Sequence, residues 1–276
     1  MSKMFVKNLS DVAIEVIIDC FLKAFENYFV KMPTDIDYYV QRWKAAKVDF
    51  SLSYGMFDGN KMVGFIIHAI DKRNDVLIAF NTGTGVIPEY RGKKIIRTIY
   101  AYALDELRKN GIQKSALEVI TENKIAIALY KSIGFTIRKE YKCFNGTIDL
   151  NISQLPDLKT VDLKQIDWNS LPNQKYYSWD NQKAPILAGN YSFFQVLHNG
   201  QPESFFIINT VLNYVAQMDI LISQKDAWKR LFAGIQKVSG TIKINNVAIQ
   251  LQNKIDALTQ FGLKNTVDQF EMELDL

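Results

Sequence analysis

Arg91, Lys93, Lys94 and Arg97 crowd the stretch Val86-Ile87-Pro88-Glu89-Tyr90-Arg91-Gly92-Lys93-Lys94-Ile95-Ile96-Arg97. From Ile95 onward apolar residues recur at helical spacing as far as Lys109. A loop that opens a helix exposes unpartnered backbone N–H groups and the positive end of the helix dipole, a ready anion site. Four cations around it suit a ligand carrying several phosphates. Just upstream, the glycines of Thr82-Gly83-Thr84-Gly85 suit a bulge or the close approach of a ligand to the backbone. Downstream stand a carboxylate, Glu118, an amide suited to capping a helix, Asn123, and a phenol, Tyr130. His68 and His198 are isolated and read as structural. Cys20 and Cys143 form neither a disulfide framework nor a metal-ligand spacing, so no metal is expected and a reduced compartment fits.

Alternating and helical patterns supply the elements that must position these groups. Lys3–Asn8 reads as a short strand, followed by an amphipathic helix within Val12–Phe25 and a second helix capped by Thr34 or Asp35. Phe50–Phe57, Met62–Ile70 and Val76–Val86 form an antiparallel meander with turns at Asp58-Gly59-Asn60 and Arg73-Asn74-Asp75. The helix Ile95–Lys109 ends at Asn110-Gly111, with Gly111 placed for the left-handed residue beyond a helix. Ala116–Ile120 is a strand, Asn123–Ile133 a helix closed by Gly134, and Phe135–Lys142 and Thr147–Ile152 are two further strands. The result is an α/β (α+β) fold, a mixed central sheet flanked by helices.

Two segments resemble the GCN5-related N-acetyltransferase family. One is Val86 to Ile96, similar to the family's acyl-CoA pyrophosphate loop. The other is Leu117-Glu118-Val119 with Asn123, Ala126, Leu129-Tyr130 and Gly134-Phe135. The resemblance implies acetyl-CoA as co-substrate, held by Val86, Ile87, Arg91, Gly92, Lys93, Lys94, Ile95, Ile96, Arg97 and Asn123. It implies direct attack by an amine in a ternary complex. Glu118, in a setting similar to the branch that acetylates protein N-termini, is then the general base, and Tyr130 the general acid. A backbone N–H near Val86 would polarise the thioester carbonyl. A phenol near pKa 10 is a weaker acid than a thiol near 8.5, so full proton transfer to a free thiolate is uphill by about 2 kcal/mol. Hydrogen bonding to sulfur as charge builds describes Tyr130 better. The chain departs from the family loop, Gln/Arg-x-x-Gly-x-Gly/Ala, by placing Lys94 and Ile96 where small residues belong. A left-handed lysine at 94 would cost on the order of 1 kcal/mol, and Ile96 would crowd the phosphate's approach.

The second half echoes the first. Phe205–Thr210 and Tyr214–Ile220 read as strands, Asp226–Val238 as a helix, Thr241–Val247 as a strand, Asn253–Gln260 as a helix and Gln269–Leu274 as a strand. Asn123-Lys124-Ile125 recurs as Asn253-Lys254-Ile255, and Gly134-Phe135 as Gly262-Leu263. The family fold is therefore expected twice in tandem, in domains 1–152 and 153–276. Ser223-Gln224-Lys225-Asp226 replaces the basic loop and Thr259 falls near the place of Tyr130, so a second active site is not expected. A chain with pseudo-dimeric halves, or a homodimer, follows.

Composition bounds the remaining classes. A net charge of +4 over 276 residues is too mild for a nucleic-acid binder. The most apolar early stretch is interrupted by Glu15, Asp19 and Lys23, so neither a signal peptide nor a membrane span is expected, and the cytoplasm is. The acceptor is an amine on a small molecule or peptide. Two other readings stay open: a catalytically inactive CoA-binding sensor or scaffold, and an acyl or aminoacyl transferase with another donor.

Overall fold

The computed structural model describes residues 4–73, 75–151 and 155–276. Lys3, Asn74 and the expected 152/153 domain division lie outside these residues. Two compact units make up the chain. The first comprises Met1–Val119, Asn123–Arg138 and Met272–Leu276; the second comprises Ile120–Glu122 and Lys139–Glu271.

The first unit begins with strand β1 (Met4–Asn8), helices α1 (Ile14–Ala24) and α2 (Ile36–Ala45), and strands β2 (Tyr54–Asp58), β3 (Lys61–Arg73) and β4 (Val76–Val86). Helix α3 (Ile95–Lys109), strand β5 (Lys114–Ile120), helix α4 (Lys124–Ile133) and the start of β6 (Thr136–Thr147) follow. Strands β1 to β4 are antiparallel in sequence order, and β4 then pairs in parallel with β5. Phe50–Leu52 is a single 3-10 turn, not the start of a strand as its alternation suggested. There Asp49 accepts from the Ser51 N–H at 2.8 Å and from its hydroxyl at 2.6 Å, a local alternative to the ladder.

Helix α3 buries Ile95, Ile96, Ile99, Tyr100, Ala103, Leu104 and Leu107, the stripe that its spacing predicted. It ends as expected: Gly111 has φ +75°, and the Ile112 N–H returns to the Leu107 carbonyl at 3.1 Å. Asp35 caps α2 by accepting from the Asp37 N–H at 3.0 Å. Phe21 of α1 lies 5.1 Å from Tyr39 and 5.5 Å from Phe65 between ring centroids, joining both helices to β3 in one aromatic core.

The second unit runs β7 (Asp157–Val161), α5 (Lys183–Ala188), β8 (Ser192–His198), β9 (Gln201–Asn209), β10 (Tyr214–Ile220), α6 (Ala227–Val238), β11 (Thr241–Ala248), α7 (Gln252–Gln260) and, as far as Glu271, β12 (Lys264–Asp275). Its strand order is β6-β11-β10-β9-β8-β7, with β6 pairing β11 from Tyr141 to Thr147. The element order from β8 to α7 repeats that from β2 to α4. Even the irregularities recur. A bulge interrupts β4 opposite Ile67/His68, and another interrupts β10 between Val215 and Gln217.

Phe135–Lys142 and Thr147–Ile152 were expected as separate strands, but β6 is one strand from Thr136 to Thr147. Gly146 lies inside it because a Cβ there would meet the Gly262 carbonyl oxygen at 2.7 Å, so the glycine marks close backbone packing and not a turn. Asn123 is the N-cap of α4, whereas Asn253 sits inside α7, whose N-cap is Leu251. The shared Asn-Lys-Ile is thus not structurally equivalent. The equivalent hydrogen bonds are Phe135 N–H to Tyr130 carbonyl and Leu263 N–H to Leu258 carbonyl, both 3.0 Å. Leu258, not Thr259, occupies the place of Tyr130.

Candidate active site

Pairing between β4 and β5 stops at Asn81↔Leu117, while β4 continues against β3 as far as Gly64↔Val86. Among the described residues, the β5-facing edge of β4 has no ladder partner beyond Asn81. The Ile87 N–H donates to the Val63 carbonyl at 3.1 Å. Antiparallel alternation therefore turns the N–H of Val86, one residue earlier, away from β3 and toward that open edge. Ile87 itself is 1% exposed with its N–H committed. The glycines here serve packing: a Cβ on Gly83 would meet Phe21 at 2.9 Å, and one on Gly85 would meet Ala24 at 2.7 Å and Phe65 at 2.8 Å. The close approach is made by α1.

The basic loop leads from β4 into α3. Gly92 has φ +78°, and Lys94, the residue before the helix, has φ 58° and ψ 19°. The left-handed position inferred from the motif is real, and a lysine fills it. The first bond closing the helix runs from Thr98 N–H to Lys94 carbonyl at 3.1 Å, so the N–H groups ahead of it have no helical acceptor. Ile95 and Ile96 are 3% and 8% exposed. Ile96 packs into the core, so the expected crowding of the loop does not arise.

The four cations divide into two kinds. Arg91 donates to the Val86 carbonyl at 3.3 Å and to the Ala24 carbonyl at 3.1 Å, bracing the end of β4 against α1. Arg97 donates to the Ser132 hydroxyl at 2.7 Å, bracing α3 against α4. Lys94 is exposed at the turn. Lys93 is also exposed and lies 4.4 Å from the ring centroid of Tyr90, whose hydroxyl donates to Asp58 at 2.7 Å.

Tyr130 projects from α4 and is 7% exposed. Its ring lies 6.1 Å from that of Tyr100 and 5.8 Å from that of Phe135. Thr84 and Asn81 lie close to its hydroxyl and favour the ionised phenol. Burial pushes the phenol up to about 12 despite those two neighbours. Full transfer of its proton to a free thiolate is then uphill by about 5 kcal/mol, more than the sequence alone implied. Tyr100 is pushed well above the usual phenol range by burial, with Tyr130 adding to the effect.

The Asn123 side chain accepts from the Ala126 N–H at 3.1 Å, capping α4, and lies close to Tyr28, which follows α1. Glu118 is half-buried on β5, one residue beyond the last β4 pairing and on the opposite face from buried Leu117 and Val119. His68 is fully buried with Nδ1 2.7 Å from the Leu52 carbonyl, a structural placement as expected. Among the described residues no cluster of three His, Cys, Asp or Glu is placed to hold a metal.

Sequence reasoning missed Asn81, Tyr100 and Tyr28, and named Thr84 only with its glycines. Asn81 carried a faint signal as a lone amide closing the apolar run from Val76 to Phe80. Tyr100 carried none, lying on the apolar face of α3 like any core aromatic.

Comparison with known proteins agrees with this architecture. The family model described as Acetyltransferase (GNAT) family matches residues 16–135. The [Ribosomal protein bS18]-alanine N-acetyltransferase of Escherichia coli (strain K12) is 35% identical over 109 residues, 38% of this chain and 71% of that protein. Several solved structures match nearly the whole chain in fold, among them these two. The tandem GNAT protein from the clavulanic acid biosynthesis pathway has TM-score 0.68 and 13% identity, covering 99% of this chain and 98% of that one. The GCN5-related N-acetyltransferase from Anabaena variabilis has TM-score 0.64 and 16% identity, covering 98% and 72%.

Proposed function

The chain belongs to the GNAT family and is an N-acyltransferase, and on that premise we propose that its first unit transfers an acetyl group from acetyl-CoA to a primary amine by direct attack. The observation that carries this reading is the open edge of β4 beyond Asn81, where the Val86 N–H faces the gap and the Tyr130 phenol lies close to Thr84 of the same strand.

The donor set fits acetyl-CoA. The N–H groups from Gly92 to Arg97 and the Lys93 and Lys94 ammonium groups offer a pyrophosphate both hydrogen bonds and charge. Arg91 and Arg97 hold the loop in shape. The open edge of β4 offers amide hydrogen bonds to an extended pantetheine arm, and Asn123 is proposed to bind the same arm. Attack of the amine nitrogen on the thioester carbonyl forms the C–N bond and places negative charge on oxygen, toward the Val86 N–H. Collapse breaks the C–S bond. The departing thiolate is stabilised by a hydrogen bond from the Tyr130 hydroxyl as charge builds, and Glu118 accepts the proton that the amine loses. With its phenol raised to about 12, Tyr130 acts chiefly as a hydrogen-bond donor to sulfur.

A protein N-terminal amine is the favoured acceptor. What supports it is the 35% identity to an enzyme named for alanine N-acetylation of a ribosomal protein. The cytoplasm follows as the place where such substrates meet acetyl-CoA; no helix among the described residues is long and apolar enough to cross a membrane. The second unit is read as lacking an acetyl-CoA site, because Leu258 replaces the phenol and the Ser223–Asp226 turn lacks the basic loop.

Calorimetric titration of the whole chain with acetyl-CoA, paired with a CoA-release assay on Tyr130→Phe, tests the reading. Binding in both proteins, with turnover lowered by about 10²-fold or more in Y130F, is expected. Absence of binding by the native chain at millimolar acetyl-CoA would end it.

A further inference from the structure

We propose that a cavity in the second unit is a binding site for a free α-amino acid with an apolar side chain, held as its zwitterion by Asp219 and Lys254. The cavity lies wholly within that unit, and the assignment does not depend on the chemistry proposed for the first.

The cavity sits where the fold repeats the end of β4. The Leu221 N–H donates to the Glu203 carbonyl at 2.8 Å, the counterpart of the bond from Ile87 to Val63. Ser204 pairs with Ile220 as Gly64 pairs with Val86. Ile220 therefore stands in the place of Val86. Alternation turns its N–H, and the Met218 carbonyl, away from β9 and toward β11. Among the described residues β10 and β11 pair only at Tyr214↔Lys243, so the two strands part early. The chain itself fills the gap. The Tyr177 hydroxyl lies 3.1 Å from the Met218 carbonyl, Gln217 donates to the Asn181 carbonyl at 2.7 Å, and Asn181 donates to the Asn245 carbonyl of β11 at 3.1 Å. This segment occupies the edge that a long arm such as pantetheine would need. What stays open is a cavity of about 430 Å³ lined in part by Asp219, Ile220, Leu221, Trp228, Leu251 and Lys254. That volume suits a small molecule.

Two of the lining residues carry opposite charges, and both are buried. Their hydrogen-bonding capacity is only partly used. Asn173, Tyr177 and Lys254 all reach Oδ2 of Asp219, at 3.0, 3.1 and 2.8 Å, and among the described residues none reaches Oδ1. Lys254 has three ammonium hydrogens and places two, on Asp219 and, at 3.1 Å, on Tyr177. A buried charge with unused capacity beside a cavity selects a ligand that supplies the missing partner. An ammonium answers Oδ1, and a carboxylate answers the third hydrogen and the Ile220 N–H.

The protein's two charges are adjacent, so the ligand's must be adjacent too. An α-amino acid meets that condition and a longer amino acid does not. Because the pair is neutral as a whole, a ligand with one net charge would leave that charge without a counterpart. Leu221, Trp228 and Leu251 provide apolar wall for a side chain.

Calorimetric titration of the whole chain with leucine, isoleucine, methionine, phenylalanine and tryptophan tests the assignment. At least one is expected to bind at a single site per chain. Acetylating the amine of that ligand, or converting its carboxylate to an amide, removes one charge and should weaken binding by about tenfold or more. The compound 6-aminohexanoate, an isomer of leucine with its charges at opposite ends, should not bind. Ser223→Trp fills the cavity from an exposed lining residue, and should abolish binding without shifting the urea midpoint of the free chain. Asp219→Asn/Lys254→Met removes both charges together and should abolish it as well. Failure of all five amino acids to bind at millimolar concentration overturns the inference, and so does equal affinity for the blocked derivatives. Binding that survives either variant also overturns it, because the amino acid is then held elsewhere, as at the amine site proposed for the first unit. None of these outcomes alters the acetyl-CoA titration, so the two readings fail separately.

Discussion

Lys94 and Asp226 hold the same backbone position in the two units: each is the left-handed residue directly ahead of a helix, with φ/ψ of 58°/19° and 61°/13°. The loops leading to them share neither length nor charge. The common conformation therefore belongs to the turn from strand into helix and not to the residues that fill it. An L-residue in this region costs about 1–2 kcal/mol, so both loops carry strain that a glycine would relieve.

Lys94→Gly is accordingly expected to stabilise the chain by about 1 kcal/mol, the relief being partly offset by glycine's greater freedom when unfolded. Asp226→Gly should do the same, and the two gains should add, since the sites share no partner. Urea unfolding midpoints measure this. A lower midpoint in K94G would show that the lysine side chain stabilises the loop by more than its backbone strains it.

Gly85 behaves in the opposite way. Its φ is ordinary, but a Cβ would lie 2.7 Å from the Ala24 Cβ and 2.8 Å from the Phe65 ring. Gly85→Ala should destabilise by about 1–3 kcal/mol by pushing α1 off β4. Because Arg91 bridges Ala24 and Val86, the same shift should disturb the loop and raise the KM for acetyl-CoA. Stability loss with an unaltered KM would mean that the bracing role of Arg91 is wrong.

His68 gives the chain an acid-sensitive point. Burial lowers its pKa from 6.5 to about 4, partly opposed by its bond to the Leu52 carbonyl. Between these values the unfolded chain binds a proton that the folded chain does not, so stability falls as pH drops from about 6.5 to 4 and levels off below. The full effect is about 3 kcal/mol. His68→Asn, which keeps a donor near Nδ1, should flatten this part of the stability–pH curve. Equal slopes for native and variant chains between pH 4.5 and 6.5 would refute the assignment.

Much of this was legible in the sequence. The ranges Val76–Val86, Ile95–Lys109 and Tyr214–Ile220 came out as read, because periodicity and end signals agreed there. The helix Lys183–Ala188 was missed because it is six residues long with Pro185 inside it, and β8 because its apolar residues do not alternate cleanly. At the site, the loop and Tyr130 were readable as contiguous motifs. The Asn81, Thr84 and Tyr100 cluster was not, since it joins β4 to α3 through a bulge that no spacing rule announces.

The second unit's most unusual feature is a charge pair, and it yields the last prediction. Lys254 and Asp219 are 3% and 5% exposed and lie 2.8 Å apart, with Tyr177 and Asn173 also donating to the same carboxylate oxygen. Burial lowers the Lys254 pKa, while Asp219 opposes that shift. Lys254 takes the position of Ala126 in α4 when the two helices are aligned on their matching C-terminal bonds. Removing one partner of a buried pair leaves the other charge uncompensated, so Lys254→Met should cost about 3–5 kcal/mol. Adding Asp219→Asn removes the stranded charge while keeping an acceptor for Tyr177, and should recover much of that loss. Because the pair belongs to the unit without the phenol, kcat of folded protein should be unchanged in both variants. Strictly additive losses in the double variant would show that the two groups are not coupled, and a lower kcat would show that the second unit takes part in the reaction.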